Sequence, residues 1–384
     1  MLPLEQIKII DFSQRLPGPY CTGILADLGA EVTMVERAGR APETRSIFPG
    51  LFELINRNKR SLTLNMKHDK GQRIAEKIIK NAQVLVEEFR PGVADRLGIG
   101  YEQVKMFNPS IIYCSVSGFG QSGPYRDRVG HDINYLSLSG ILSIPGQPGT
   151  PPSRPGVPLV DLASGMYAAI AIMAALRRQE REGVGERIDV SMFDNMISWM
   201  GVRAGRHLIH GKPTRNEHLS ALNNVYETKD GRLISLGALE PHFWKNFCTS
   251  AGRKDLVEDP RFESPAKRKE HGEALLTTLK ELFRERTYKE WERILDWKEV
   301  PFAPVYTQEE TLQDPHVAAR GLIQDIETRH LGTIRVIPFP VKFSGIDTEI
   351  RNPPPQWGEH TEAILGDLGF SKKDIDRLRD EKVI

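Results

Sequence analysis

Only three cysteines occur among 384 residues, at Cys21, Cys114 and Cys248. They lie far apart and form no Cys-x-x-Cys pair, which excludes a disulfide framework and a clustered zinc site and points to a reducing compartment. No metal is expected. No uninterrupted apolar run approaches the roughly 20 residues that cross a bilayer. The N-terminal Met-Leu-Pro-Leu-Glu-Gln carries no basic-then-apolar leader pattern. The expectation is a cytoplasmic chain without a membrane span. An excess of one charge is missing as well. Lys+Arg of 52 against Asp+Glu of 51 leaves a formal net charge of +1, so the basic surplus of a general nucleic-acid surface is absent. Internal repeats and low-complexity tracts are also lacking.

What is present is an ordinary globular composition, 39% hydrophobic and 27% charged, on a chain long enough for two domains. Short apolar runs at 7–11, 31–36, 83–87, 111–116 and 185–190 read as strands. Helical patterns at 20–28, 70–80, 162–176 and 192–200 fall between or after them. Strands separated by helices of this length imply a parallel sheet covered on both faces, with ligands gathering at the carboxyl ends of the strands. Residues 144–158 form a Gly/Pro-rich loop before the most apolar helix. From about residue 200 the texture changes: 203–217 reads as a connector, 226–236 as a hairpin turning at Lys229-Asp230-Gly231, and 241–298 as charged helices.

Several motifs could carry chemistry. Gly118-Phe119-Gly120-Gln121-Ser122-Gly123 fits Gly-x-Gly-x-x-Gly, but Pro124-Tyr125-Arg126-Asp127 follows where a dinucleotide site needs a helix, so it is read as a decoy. Asp161 stands at the expected start of the apolar helix. It suits an N-cap, and a carboxylate there is also poised to attack or to take a proton. Gly130-His131-Asp132-Ile133-Asn134-Tyr135 crowds polar groups at another expected helix start, where they satisfy amides or bind a ligand. Glu240 lies between an apolar strand and Pro241 near a domain junction. Arg37, Lys67, Arg90 and Arg96 follow strands or turns of the first domain, and together could cradle phosphate.

These pieces resemble the family III CoA-transferases, of the carnitine CoA-transferase and bile-acid-inducible type, which share their fold with the α-methylacyl-CoA racemases. The resemblance rests on Pro17-Gly18-Pro19-Tyr20-Cys21, Leu25 to Val32, Asn56 to Leu62, Glu88-Phe89-Arg90-Pro91-Gly92, Ser117 to Gly120, Asp161-Leu162 with Ser164-Gly165, and Pro353-Pro354-Pro355 leading to Gly358-Glu359-His360-Thr361. It implies an α/β fold with a Rossmann-like large domain, a smaller α+β domain and an interlocked dimer; a heterodimer with a homologous subunit is the variant. On that pattern 1–195 is the first part of a CoA-binding domain. Residues 196–220 form a linker, 221–318 the small domain, 319–329 a second linker, and 330–384 return to the large domain. Coenzyme A enters as part of the acyl-CoA substrate rather than as a resident cofactor. The matching positions for its contacts are Arg37, Leu64, Lys67, Phe89 and Arg96, with Gly130, Asp132 and Tyr135 lining the site.

Two chemistries compete within the resemblance. A transferase uses the aspartate matching Asp161 to carry CoA as an aspartyl thioester. A racemase pairs it with a histidine to exchange the α-proton of a 2-methylacyl-CoA. The segment 130–135 with His131, and Leu239-Glu240-Pro241-His242-Phe243, resemble the racemases. The glycine run of oxalate-type transferases is absent at 220–226, and Leu16 replaces their glutamine. Residues 56–61, 301–307 and Leu162-Ala163-Ser164 resemble the transferases. The expectation leans to the racemase, with Asp161, His131 and Glu240 in its site and CoA transfer as the alternative.

Overall fold

A computed structural model describes residues 1–47, 50–147, 150–151, 153–212 and 218–384. The chain divides into two compact units. The first comprises Met1–Ile141, Arg154–Val202 and Ala318–Ile384, and the second Leu142–Ser153 and Arg203–Val317.

The first unit is built on six parallel strands: β1 (Lys8–Asp11), β2 (Glu31–Arg37), β3 (Lys59–Leu64), β4 (Val84–Glu87), β5 (Ile112–Ser117) and β6 (Glu186–Ser191). Every residue of β4 and β5 is buried, as in a parallel sheet covered on both faces. The order β3-β2-β1-β4-β5-β6 reverses direction between β1 and β4. Open α/β sheets bind ligands at such a reversal, which here falls at the carboxyl ends of β1 and β4. The amphipathic helix Asp69–Lys80 buries Ile74, Ala75, Ile78 and Ile79 in the core of this unit.

Strand β3 was not legible as a strand. It begins Lys-Arg-Ser, yet Lys59 and Ser61 are buried. Its outer edge is covered by the C-terminal segment. Asn58 Oδ1 accepts from the Arg351 and Asn352 amides at 2.8 and 3.0 Å. The His360 amide donates to the Ser61 carbonyl at 2.9 Å, and the Gly358 amide to Ser61 Oγ at 2.8 Å. These bonds satisfy an edge that would otherwise be open to pairing.

The longest helix, Leu159–Glu182, is apolar enough by length and composition to cross a membrane; half of that apolar window is buried within the protein. It packs against the helix Pro17–Asp27 through Gly165. A side-chain carbon there would lie 2.7 Å from the Pro17 carbonyl oxygen and 3.3 Å from the Cys21 amide, so only glycine allows this approach.

The second unit contains the antiparallel sheet β7 (Asn223–Glu227), β8 (Leu233–Gly237) and β9 (Phe302–Pro304). Its core joins Tyr226, Phe247, Phe283 and Trp291, with Tyr226 stacked on Phe283 at 4.7 Å between ring centres. The two segments expected as linkers hold regular structure. Residues 196–210 are helical, belonging to Met192–His210, and 213–217 lie outside the described residues. Residues 324–328 of the second expected linker form strand β10 (Gln324–Thr328), paired antiparallel with β11 (Gly332–Val336).

Candidate active site

The site grows from the amino end of the helix Leu159–Glu182. Pro158 is the N-cap residue, and it offers no side-chain acceptor. The cap comes instead from Asp132, whose Oδ2 accepts the Val160 amide at 2.9 Å. Asp161 is thus the third helical residue and not the N-cap that its sequence position suggests. A proline cap leaves the first-turn amides open, and a carboxylate from another helix fills the gap.

This arrangement sets two carboxylates near one helix end. Asp132 is buried, and its second oxygen, Oδ1, has no partner among the described residues. Asp161 is half-buried. Burial and the Asp132 charge push its carboxyl up to about 6, while Arg15 and Arg154 pull it down. Desolvation and a like charge both favour the neutral acid, so the two cations keep the ionised form within reach near neutral pH.

Tyr135, one turn along the helix Asp132–Leu138, is buried. Its ring meets Phe119 edge to face at 5.2 Å. A side chain at Gly118 would run into the Tyr135 hydroxyl, and one at Gly130 would lie 3.0 Å from the ring. These two glycines are spaces for tyrosine, which explains part of the Gly-x-Gly pattern. Chain after Gly123 forms a turn and no helix, so no dinucleotide loop is built. Burial and Asp161 raise the Tyr135 hydroxyl above its ordinary value, against Arg15 and Arg90.

His131 precedes the Asp132–Leu138 helix. Its amide donates to Asn134 Oδ1 at 2.9 Å, while its exposed ring makes no hydrogen bond among the described residues. Because residue 132 touches the amide of residue 160, His131 and Asp161 each adjoin one 2.9 Å contact. Glu240 belongs to the second unit, where it is the exposed N-cap residue of Pro241–Ser250.

The expected CoA contacts lie along the carboxyl ends of β2, β3 and β4. Arg37 and Leu64 are register partners at the ends of β2 and β3. Arg37, Lys67 and Arg96 are exposed, and Phe89 is half-buried against the core. Leu64 differs from the others: it is 1% exposed, and its carbonyl accepts the Ala38 amide at 3.2 Å, so its side chain belongs to the core.

Sequence reading missed Arg15, Arg154 and the clamp that holds the first of them. Glu88, just beyond β4, accepts the amides of Gln14 at 2.7 Å, of Arg15, and of Gly18 at 3.2 Å. Its carboxylate therefore ties the loop after β4 to the loop after β1 across the strand-order reversal. Burial pushes the Glu88 carboxyl up to about 7. Ser13-Gln14-Arg15, a polar run right after the first strand, was the available signal.

A family model described as CoA-transferase family III matches residues 4–361. The chain belongs to CoA-transferase family III. A protein of Fusarium pseudograminearum named acyl-CoA transferase is 37% identical, over 99% of this chain and 88% of its own. Human succinyl-CoA:glutarate CoA-transferase is 33% identical, over 95% of this chain and 86% of its own. Human alpha-methylacyl-CoA racemase is 32% identical, over 100% of this chain and 98% of its own. A CAIB/BAIF family protein from Brucella suis superposes with a TM-score of 0.85 at 30% identity, covering 96% of this chain and 99% of that structure. The family III fold is thus a six-stranded parallel sheet with acyl-CoA chemistry attached, and both transferases and a racemase stand among its relatives.

Proposed function

We propose that this family III protein exchanges the α-proton of a 2-methylacyl-CoA, with Asp161 and His131 as the acid–base pair. What supports this most is the Asp161 carboxyl, pushed up to about 6 by burial and Asp132, near a helix start whose exposed His131 ring makes no hydrogen bond among the described residues. A base works best when its pKa lies near the working pH. One group takes the proton from C2, the thioester carbonyl holds the resulting enolate charge, and the other group returns a proton to the opposite face. Coenzyme A is carried within the substrate, along Arg37, Lys67, Phe89 and Arg96. Proteins incubated with a 2-methylacyl-CoA in deuterium oxide gain deuterium at C2 without any acceptor acid.

CoA transfer is the second reading, favoured by an Asp161 carboxylate that accepts no hydrogen bond among the described residues and is free to attack. The carboxylate adds to the thioester and expels CoA thiolate, leaving an anhydride. Thiolate then attacks the aspartyl carbonyl, releasing the donor acid and an aspartyl thioester, and the acceptor acid reverses these steps. Hydroxylamine trapping Asp161 as a hydroxamate, with no deuterium at C2, replaces the first reading by this one.

The protein is further proposed to be cytoplasmic and to work as an interlocked homodimer. All three cysteines are free and buried, in keeping with a reducing compartment. Leu208 and Ile209 are 70% and 76% exposed on one helix, apolar surface suited to a second chain.

A further inference from the structure

The glycine turn at 118–123 builds no dinucleotide loop, yet it is anchored to two strands. The Gln121 amide donates to Asp189 Oδ2 on β6 at 2.8 Å, and the Gln121 side-chain amide reaches Ser117 Oγ, at the end of β5, at 3.4 Å. What the turn then holds is an arginine. The Gln121 carbonyl accepts Nε of Arg126 at 3.1 Å, and the Arg126 amide donates to the Gly123 carbonyl at 3.2 Å. Asp127 accepts Nη1 of Arg126 at 3.0 Å. Nη2 has no hydrogen-bond or ion-pair partner among the described residues.

That open nitrogen meets a second arginine over the loop after β4. Gly92 lies in this loop at φ 80°, a left-handed conformation that favours glycine. A side-chain carbon at Gly92 would lie 3.6 Å from Nη1 of Arg96 and 3.9 Å from Nη2 of Arg126. The two nitrogens are therefore no farther apart than the sum of these distances, about 7.5 Å. Arg96 is exposed, and its guanidinium makes no hydrogen bond or ion pair among the described residues. Two guanidinium groups this close repel each other unless an anion stands between them. The gap suits two charge-assisted bonds of roughly 2.8 Å that end on neighbouring oxygens of one phosphate.

We propose that Arg126 and Arg96 together grip one phosphate of the coenzyme A moiety above Gly92. The glycine turn after β5 thus serves phosphate through a side chain it orients, rather than through its own amides. The inference rests on CoA lying along Arg96, adds Arg126 to its site, and holds for either reaction at Asp161. The phosphate is the 3′-phosphate or belongs to the diphosphate, and both present the same oxygens.

Dissociation constants for CoA, 3′-dephospho-CoA and pantetheine, measured by titration calorimetry, test this on the wild type, Arg126→Gln, Arg96→Gln and the double variant. Arg126→Gln weakens CoA binding about 10-fold, and Arg126→Lys retains part of the affinity. Pantetheine, which has no phosphate, binds all four proteins alike. The double variant loses less than the product of the two single losses, because both arginines hold one group. An unchanged affinity of Arg126→Gln for 3′-dephospho-CoA assigns the contact to the 3′-phosphate, and an equal loss for CoA and 3′-dephospho-CoA assigns it to the diphosphate. Wild-type affinity for CoA in Arg126→Gln overturns the inference, as do single losses that simply multiply or a loss that extends to pantetheine. The underlying CoA reading fails separately: Arg96→Gln then also leaves CoA binding unchanged.

Discussion

Two clusters of buried charge in the first unit obey opposite rules. In one, Lys59 is fully buried, and its ammonium donates to Pro19 O at 2.7 Å, Thr22 Oγ1 at 2.8 Å and Asn56 Oδ1 at 2.8 Å. Asp11, 3.7 Å away, accepts from Thr22 Oγ1 at 2.5 Å and the Ser13 amide at 2.8 Å. Every donor of the lysine is used. The other cluster, Asp161 with Asp132 and Tyr135, joins like charges and leaves Asp132 Oδ1 without a partner among the described residues. A satisfied network fixes structure, while an unsatisfied one stores a tendency to react or bind. Burial lowers Lys59 to about 8 against the pull of Asp11, and raises Asp161 to about 6 with the push of Asp132. The same desolvation is offset in the first cluster and reinforced in the second.

The sharpest break in this comparison is Asp161→Ala. Activity falls about 10²–10⁴-fold in a steady-state assay, with no loss of thermal stability, because a half-buried acid next to Asp132 is removed. Lys59→Met does the reverse. It strips the donor from the Pro19 carbonyl, Thr22 and Asn56 and the counter-charge from Asp11, and a denaturant titration records a loss of about 3–5 kcal/mol.

The pH profile separates the clusters further. Where Asp161 takes the proton or attacks, its reactive form is the carboxylate, so kcat/KM in that direction falls as pH drops through about 6. Asp132→Asn keeps an acceptor for the Val160 amide but removes a like charge, which moves this limb to lower pH. Arg15→Gln removes an opposite charge and moves it to higher pH. A limb that stays in place in both variants contradicts the assigned electrostatics.

The smallest effect concerns Glu87, which burial raises from 4.5 to about 7. Keeping it ionised opposes folding at pH 8, and this cost fades as pH falls through 7 toward 4.5. Glu87→Gln raises Tm by roughly 2 °C at pH 8 and by nothing at pH 4.5.

Much of the sheet was readable because apolar runs such as 83–87 and 111–116 are bounded by turns and separated by amphipathic helices. Strand β3 was hidden because its first residue is a lysine, and nothing local announces that Asn56, Thr22 and Pro19 will satisfy it. Asp161 and the 130–135 segment were legible as polar groups at helix starts. Their capping was not, since Asp132 caps a helix 28 residues away in sequence. Arg15 escaped notice because a single arginine after a strand resembles any solvated charge.

By itself the sequence determined most of the strands and helices, β3 excepted, and that one carboxylate stands near the start of an apolar helix. Side-chain periodicity and turn residues are local properties, written in neighbouring positions. Only the tertiary structure decided the strand order, and hence which loops meet at its reversal. It alone also decided which carboxylate caps a helix and which charges bear on Asp161. Those outcomes depend on burial and on charges brought together from distant positions, and Coulomb forces follow distance in space rather than along the chain.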